Sequence, residues 1–359
     1  MSRSVMIFAG GTGGHVFPGI AVAEVLSRAG VELHWVGTAR GLESRIVPAH
    51  GISFRTISVA GMRRSGWLRR VLGPIQLLYA LLQSVYLMLQ LRPAVVLGMG
   101  GFVSGPGGLA AWLCRRPLVI HEQNAIAGLT NRWLSRVADV VLLAFPGSLS
   151  ARDDARVTGN PVRAAIARVG PPAERISDNS RMSILVFGGS RGAHALNQYV
   201  PSALGALTDI EFDIVHQCGS DEVDSTKANY RDAGLGDRAR VVTFIDDMAS
   251  AYAGTKLVIA RSGALTVAEI ATVGVASILV PYTFAVDDHQ TANARFLVER
   301  DAARLLPESD LAAGALAGIA HELLSDQALL LHMAEQARAA SPRDAAQRVA
   351  ESCLECANV

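Results

Sequence analysis

A short apolar run that stops in glycines leaves this chain few folds to choose from. Val5–Ala9 has the length and composition of a buried strand, and within Val5–Gly19 (VMIFAGGTGGHVFPG) it runs into four glycines around Thr12. Glycines let the backbone turn sharply and offer bare N–H groups to an anion. Phe17-Pro18 then opens an apolar-periodic segment that lasts to about Ala29 and stops at Gly30, with proline first and glycine after, as in a helix. Strand, glycine turn and helix N-terminus together make a phosphate-binding device. His15 falls where the turn becomes the helix, so its imidazole is expected to face whatever the loop holds.

The device recurs. Ile184–Phe187 is apolar, GGSRGAHALN follows, and a helix continues to about Leu207, with Gly188–Gly192 matching Gly10–Gly14. This is one repeat of a whole sheet unit rather than a solenoid period. Further strands are expected at Glu32–Val36, Arg55–Val59, Ala94–Met99, Leu118–His121 and Val140–Ala144, with helices from near Arg40, Trp67, Ser104 and Gly128. After the repeat come Phe212–His216, Val241–Phe244, Leu257–Ala260 and Ser277–Val280. Such alternation gives parallel sheets covered on both faces, with ligands at the carboxyl ends of the strands. The periodicity weakens from Ala164 to Arg181, which reads as a linker. The expectation is an α/β chain of two doubly wound, Rossmann-like domains, 1–163 and 164–340, facing across a cleft. The last helix, Pro342 to about Cys353 within 341–359, is placed to pack back on the first domain.

Composition narrows the class. A chain of 359 residues has room for two cores, and 50% hydrophobic with 18% charged residues excludes disorder. A net charge of +1 gives no reason to expect nucleic acid. Val5–Ala9 is too short for a signal peptide, and four cysteines make no disulfide framework, which together point to the cytoplasm. Cys353 and Cys356 have CxxC spacing without a second pair and read as inert thiols. Arg63, Arg64, Arg69 and Arg70 precede the long apolar run Val71–Leu91, which Gly73-Pro74, Gln76, Gln83, Ser84 and Gln90 interrupt. A helix lying on an anionic membrane surface fits that pattern better than a span, with a core helix as the plain alternative.

Polar groups gather at the expected strand ends. GMGGFVSGP (Gly98–Pro106) is a further glycine turn, with Ser104 a candidate helix cap. His121-Glu122-Gln123-Asn124 ends the next strand. Ala125 stands where the zincin pattern needs a histidine, so a metal reading of that stretch fails. GNPVR places Arg163 at the end of the first half. In Arg261–Glu269 (RSGALTVAE) a strand ends and a helix starts at Ser262-Gly263, so free N–H groups and a positive dipole end meet a ligand there. Glu269 lies too far inside that helix to be only a cap; it can accept both hydroxyls of a ribose, or simply be solvated. A dinucleotide oxidoreductase fails on spacing, because Val16, Val103 and Ser190 stand where GxGxxG needs glycine, and Gly37-Thr38 ends the second strand without an acid. No Asp-x-Asp is present, so no metal ion is expected at the diphosphate.

GGTGGHVFPG, GMGGFVSGP, HEQNAIAGLTN, GNPVR, GGSRGA, SGALTVAE and DDHQTANA, in this order from Ala9 to about Ala294, closely resemble the MurG family of bacterial glycosyltransferases. The resemblance implies a GT-B fold without a cofactor, held peripherally at the cytoplasmic face of the inner membrane. Such enzymes move GlcNAc from UDP-GlcNAc to the muramyl C4 hydroxyl of lipid I, with inversion, and form lipid II for peptidoglycan. Implied partners are UDP-GlcNAc, the polyprenyl-linked muramyl-pentapeptide acceptor, an anionic membrane surface through Arg63–Leu91, and other cell-wall synthesis proteins. By the same pattern Glu269 holds the ribose and Ile245 presents backbone to the uracil. Ser190 with Ala264, Leu265, Thr266, Val267 and Ala268 meets the diphosphate. Thr12, Gly13, Gly14, Asn124, Arg163 and Gln290 address the phosphates and GlcNAc. Gly14, His15, Gly100, Gly101 and Ser104 receive the acceptor's diphosphate. Arg191 departs from the pattern, since relatives often carry an uncharged residue there.

An inverting transfer needs a base on the face opposite the departing UDP. His15 is the first candidate, its alternative role being to orient a substrate, and Glu122 is the second. A UDP-GlcNAc epimerase on a similar scaffold and a non-catalytic nucleotide-sugar sensor remain as competing readings.

Overall fold

The computed structural model describes residues 4–59, 67–149, 152–176, 182–189, 192–283 and 288–357, and in 67–72 the backbone alone. Ser190, Arg191, Arg63, Arg64 and Asp287 lie outside these residues, as do the side chains of Arg69 and Arg70. The chain divides into two compact units, Met1–Arg163 with Asp344–Val359, and Ala164–Arg343.

In the first unit the chain runs β1 (Ser4–Phe8), α1 (Gly13–Arg28), β2 (Glu32–Gly37), α2 (Glu43–Ala49), β3 (Ser53–Thr56), α3 (Trp67–Leu91), β4 (Val95–Gly98) and α4 (Ser104–Leu113). It continues through β5 (Leu118–Glu122), α5 (Leu129–Leu134), β6 (Val140–Leu143) and β7 (Arg156–Val157). The sheet order is β3-β2-β1-β4-β5-β6-β7, with every pairing parallel. The central strands are buried on both faces, which is why they read as unbroken apolar runs. On one face Val16, Ile20 and Leu26 of α1 pack with Ile7 and Leu97. On the other, Ala80 and Met88 of α3, Ala110 of α4 and Leu134 of α5 cover Phe8, Val96 and Ile120.

The second unit has α6 (Ala164–Ala167), α7 (Pro172–Ile176), β8 (Met182–Phe187), α8 (His194–Gly205), β9 (Phe212–Gln217), α9 (Val223–Asp232), β10 (Ala239–Val242) and α10 (Met248–Ala253). Then follow β11 (Leu257–Ala260), α11 (Ala264–Val273), β12 (Ala276–Leu279), α12 (His289–Val298), β13 (Ala303–Leu305), α13 (Glu308–Ala312), α14 (Ala315–Ser325) and α15 (Gln327–Ala340). Its sheet, β10-β9-β8-β11-β12-β13, is parallel throughout. The last helix, α16 (Ala345–Ala357), belongs to the first unit, where Val349, Ala350 and Cys353 join the core beside α1, β4 and β5. Burial raises the Cys353 and Cys356 thiols above the ordinary range, which keeps both protonated.

Several sequence expectations shift. The expected strand Arg55–Val59 is Ser53–Thr56, fixed by its register on β2 (His34 opposite Ser53, Gly37 opposite Thr56), because a half-exposed edge strand carries a weak apolar pattern. Val241–Phe244 moves likewise to Ala239–Val242, paired with Ile214–Gln217. Strands β7 and β13, of two and three residues, are too short to leave a sequence signal. The expected linker Ala164–Arg181 holds two helices instead, with Ile166 and Ile176 buried. Arg175 fastens it by donating to the carbonyls of Val273 and Gly274 at the end of α11.

Candidate active site

In the first unit β1, β4 and β5 are neighbours, and their carboxyl ends bring the polar loops together. Helix α1 starts at Gly13 with extended Thr12 before it, four residues ahead of the Phe17-Pro18 start expected from sequence. Pro18 is therefore inside the helix, where it removes only the bond to the Gly14 carbonyl. The earlier start puts Gly13, Gly14 and His15 in the first turn, where the N–H groups of Gly13 and Gly14 have no acceptor within a helix and His15 N donates to the Thr12 carbonyl at 3.1 Å. The half-buried His15 ring has Nδ1 3.3 Å from Thr12 Oγ1. Loss of water lowers its pKa to about 4, against smaller raising effects of a bond to the Gly10 backbone and the Glu43 charge. The imidazole is neutral at pH 7 and able to take a proton.

The β4 turn closes on that ring. A Cβ at Gly100, whose φ is +90, would stand 2.7 Å from His15 Cδ2 and 3.0 Å from Nε2. Gly101 meets the Gly10 carbonyl with no room for a side chain. Ser104 does not cap α4: it is the first helical residue, and its hydroxyl lies 2.8 Å from both the Phe8 and Gly100 carbonyls. Its side chain ties two strand ends together and faces the protein interior. Gln123 adds a third tie, donating from Nε2 to the Met99 carbonyl at 2.8 Å.

Glu122 is buried, and its carboxylate accepts from Asn124 N (2.9 Å), Asn124 Nδ2 (3.3 Å), Gly128 N (3.1 Å) and Asn131 Nδ2 (2.9 Å). Burial raises its pKa, while these donors pull the other way. Four donors fill the acceptor positions of a carboxylate, so Glu122 shapes the loop that carries Asn124 rather than offering a base. Arg163 stacks its guanidinium over the Phe17 ring of α1, 5.3 Å from the centroid. The first unit thus brings Thr12, Gly13, Gly14, His15, Gly100 and Gly101 to adjoining turns.

In the second unit Gly188 and Gly189 follow β8, and Gln217 Nε2 donates to the Gly189 carbonyl at 2.8 Å. Helix α11 starts after extended Gly263 with no acid in its first turn, which leaves the N–H groups of Ala264, Leu265 and Thr266 for an anion. Val267 and Ala268 are buried behind them. Glu269, 4% exposed, receives the buried Tyr252 hydroxyl on Oε2 at 3.2 Å. Ile245 is half-buried in the segment between β10 and α10. Gln290, on α12, accepts from Tyr282 N at 2.9 Å. Arg261, buried beside this turn, pairs with Glu308 at 2.6 Å and donates to the Pro281 carbonyl at 2.9 Å.

Sequence reasoning missed Gln123, Asn131, Tyr252 and Arg261. Gln123 and Asn131 lie within the quoted stretch HEQNAIAGLTN and Arg261 begins RSGALTVAE, but none was given a role of its own; Tyr252 had no signal, since it acts through Glu269, 17 residues on.

Residues 5–143 match the glycosyltransferase family 28 N-terminal domain and residues 183–349 its C-terminal domain. The chain belongs to glycosyltransferase family 28. Within the family it is 49% identical over 363 residues, all of both chains, to the UDP-N-acetylglucosamine–N-acetylmuramyl-(pentapeptide) pyrophosphoryl-undecaprenol N-acetylglucosamine transferase of Nitrosococcus oceani. Among solved structures, MurG of Acinetobacter baumannii is 40% identical with a TM-score of 0.86, over 98% of this chain and 99% of that one. A UDP-N-acetylglucosamine 2-epimerase matches with a TM-score of 0.68 over 98% of this chain and 95% of its own, but at 16% identity it shares the fold alone. The two parallel-sheet domains are those of a GT-B glycosyltransferase of the MurG branch.

Proposed function

We propose that this family 28 chain moves N-acetylglucosamine from UDP-GlcNAc to the muramyl C4 hydroxyl of lipid I, giving lipid II for the cell wall. The observation that carries this reading is 49% identity along the whole length of a relative named for that transfer. The site chemistry agrees with it. In the second unit the N–H groups opening α11, with Ser190, take the donor diphosphate, Glu269 holds the ribose, Ile245 presents backbone to the uracil, and Gln290 meets the sugar. In the first unit the Thr12–Gly14 turn, Asn124 and Arg163 address the phosphates and GlcNAc, and the same turn, from Gly14 and His15 on, also takes the acceptor's diphosphate together with the Gly100–Gly101 turn.

In the reaction O4 attacks the anomeric carbon opposite UDP, its proton passes to the His15 imidazole, and the C1–O bond breaks with its electrons leaving on UDP. A ring with a pKa of about 4 is available but weakly basic. The negative acceptor diphosphate beside it raises that pKa toward the working pH. Backbone dipoles at α11 stabilise the leaving diphosphate as its charge develops.

We also place the enzyme peripherally on the cytoplasmic face of the inner membrane. Helix α3 buries Ala80, Leu87 and Met88 but exposes Leu82, Tyr86 and Leu89. Exposed Trp112 and Leu113 on α4, and Leu129 and Trp133 on α5, extend the apolar face, with exposed Arg115, Arg132 and Arg136 around it. Gly73–Leu91 is long and apolar enough to cross a membrane, yet it packs against α4. That one-sided burial suits a helix lying at the interface.

Incubation with UDP-GlcNAc, with and without a polyprenyl-linked muramyl acceptor, separates the readings. Acceptor-dependent UDP release is expected. Isomerisation without acceptor, or binding without turnover, would overturn the transfer in favour of an epimerase or a sensor. His15→Ala is expected to lower turnover by about 10²–10⁴-fold with little change in UDP-GlcNAc affinity.

A further inference from the structure

Glu43 opens α2 with a side chain that is completely buried. Its Oε2 accepts from Gly11 N at 3.1 Å, and its Oε1 accepts from Thr38 N at 2.9 Å and Thr38 Oγ1 at 2.8 Å. All three donors are neutral. A carboxylate withdrawn from water among neutral donors is costly, and an apolar side chain would fill the same volume more cheaply. The surroundings are nevertheless shaped for it. A Cβ at Gly10, at Gly37 or at Gly41 would collide with the Glu43 side chain, so the turn after β1 and the β2–α2 connection together leave a socket for it. In a dinucleotide-binding sheet the acid at the end of the second strand takes a ribose. Here the end of β2 supplies Thr38 instead, and the acid from α2 turns inward onto the glycine turn.

What it touches there is specific. Gly11 has φ +95, a left-handed conformation, and the carboxylate takes its N–H. The peptide so fixed includes the Gly10 carbonyl, the backbone partner of the His15 ring. We propose that Glu43 is the positioning residue of the first glycine turn, holding the Gly10 carbonyl and the N–H groups that follow where His15 and the acceptor's diphosphate require them. This rests on the reading of that turn as the acceptor site with His15 as base.

Glu43→Gln tests it. The amide keeps an oxygen for Thr38 but sets an N–H against the N–H of Gly11. Turnover is expected to fall by about 10²-fold, the loss that a displacement of about 1 Å brings, while UDP-GlcNAc affinity measured by calorimetry stays within about twofold. Acting through His15, the substitution costs less than about threefold further in a His15→Ala background, because coupled residues are not additive. Turnover of folded Glu43→Gln within about threefold of wild type overturns the proposal, as does an equal loss in both backgrounds, which would mark a merely structural role. Should Glu43→Gln not fold, Thr38→Val removes one donor and leaves the carboxylate in place. It is then expected to lower turnover by about five- to tenfold with donor affinity kept, and unchanged turnover would overturn the proposal. Absence of acceptor-dependent UDP release by the wild-type protein would instead overturn the reading beneath it.

Discussion

Acidification should loosen the first unit through one buried histidine. His121 is fully buried at the end of β5, with Nε2 3.0 Å from the Gly159 carbonyl. Its Nδ1 is buried with no hydrogen-bond partner among the described residues. The ring is therefore the neutral tautomer that donates from Nε2, and a second proton would be placed where nothing accepts it. Burial lowers its pKa from 6.5 to about 4. Between these values the unfolded chain binds the proton and the folded chain does not, so stability falls as pH falls, and the loss is complete below pH 4. At pH 5, 1.5 units below the unfolded value, the loss is about 2 kcal/mol at 1.36 kcal/mol per unit. All four tryptophans, Trp35, Trp67, Trp112 and Trp133, lie in the first unit, so urea unfolding followed by tryptophan fluorescence reads that unit alone. His121→Gln can still donate to Gly159 but does not titrate. The stability lost between pH 8 and pH 5 should be about 2 kcal/mol smaller in the variant than in wild type. His15 and Glu122 titrate in both proteins and cancel. Equal losses in the two would refute the assignment of a buried neutral ring.

The other predictions concern ligands. Tyr252→Phe removes the donor on Glu269 Oε2 and should weaken UDP-GlcNAc binding by about tenfold, the value of one hydrogen bond to a charged group, with turnover at saturation kept; unchanged calorimetric affinity would dismiss Tyr252 as a support for Glu269. Leu82→Glu and Trp112→Glu should each reduce sedimentation with anionic phospholipid vesicles by about tenfold or more while leaving donor affinity alone. Undiminished vesicle binding would remove the α3–α4 face from the membrane contact.

The fold was legible where strands are buried on both faces. β1, β4, β8 and β11 are short apolar runs ended by turn residues, and two doubly wound sheets follow from their alternation with helices. It was not legible at β3, β7, β10 and β13, whose half-exposed or very short strands take their position from a neighbour's register. The start of α1 was misjudged because Pro18 resembles a helix opener, while four residues of glycine turn were already helical. At the site, glycine turns declare themselves by composition. Glu43 could not, because a glutamate at the start of a short helix looks like an ordinary first-turn acid. Only the tertiary contacts with Gly11 and Thr38 give it a role.

The return of α16 to the first unit sets an order on biosynthesis. The whole of the second unit, Ala164–Arg343, is an insertion between β7 and α16, so it leaves the ribosome complete while the first still lacks one wall. Until Val349, Ala350 and Cys353 emerge, a strip of the apolar face beside α1 and β4 has no cover. A nascent chain stalled before that point carries a finished second unit and a first unit whose core is still unsealed.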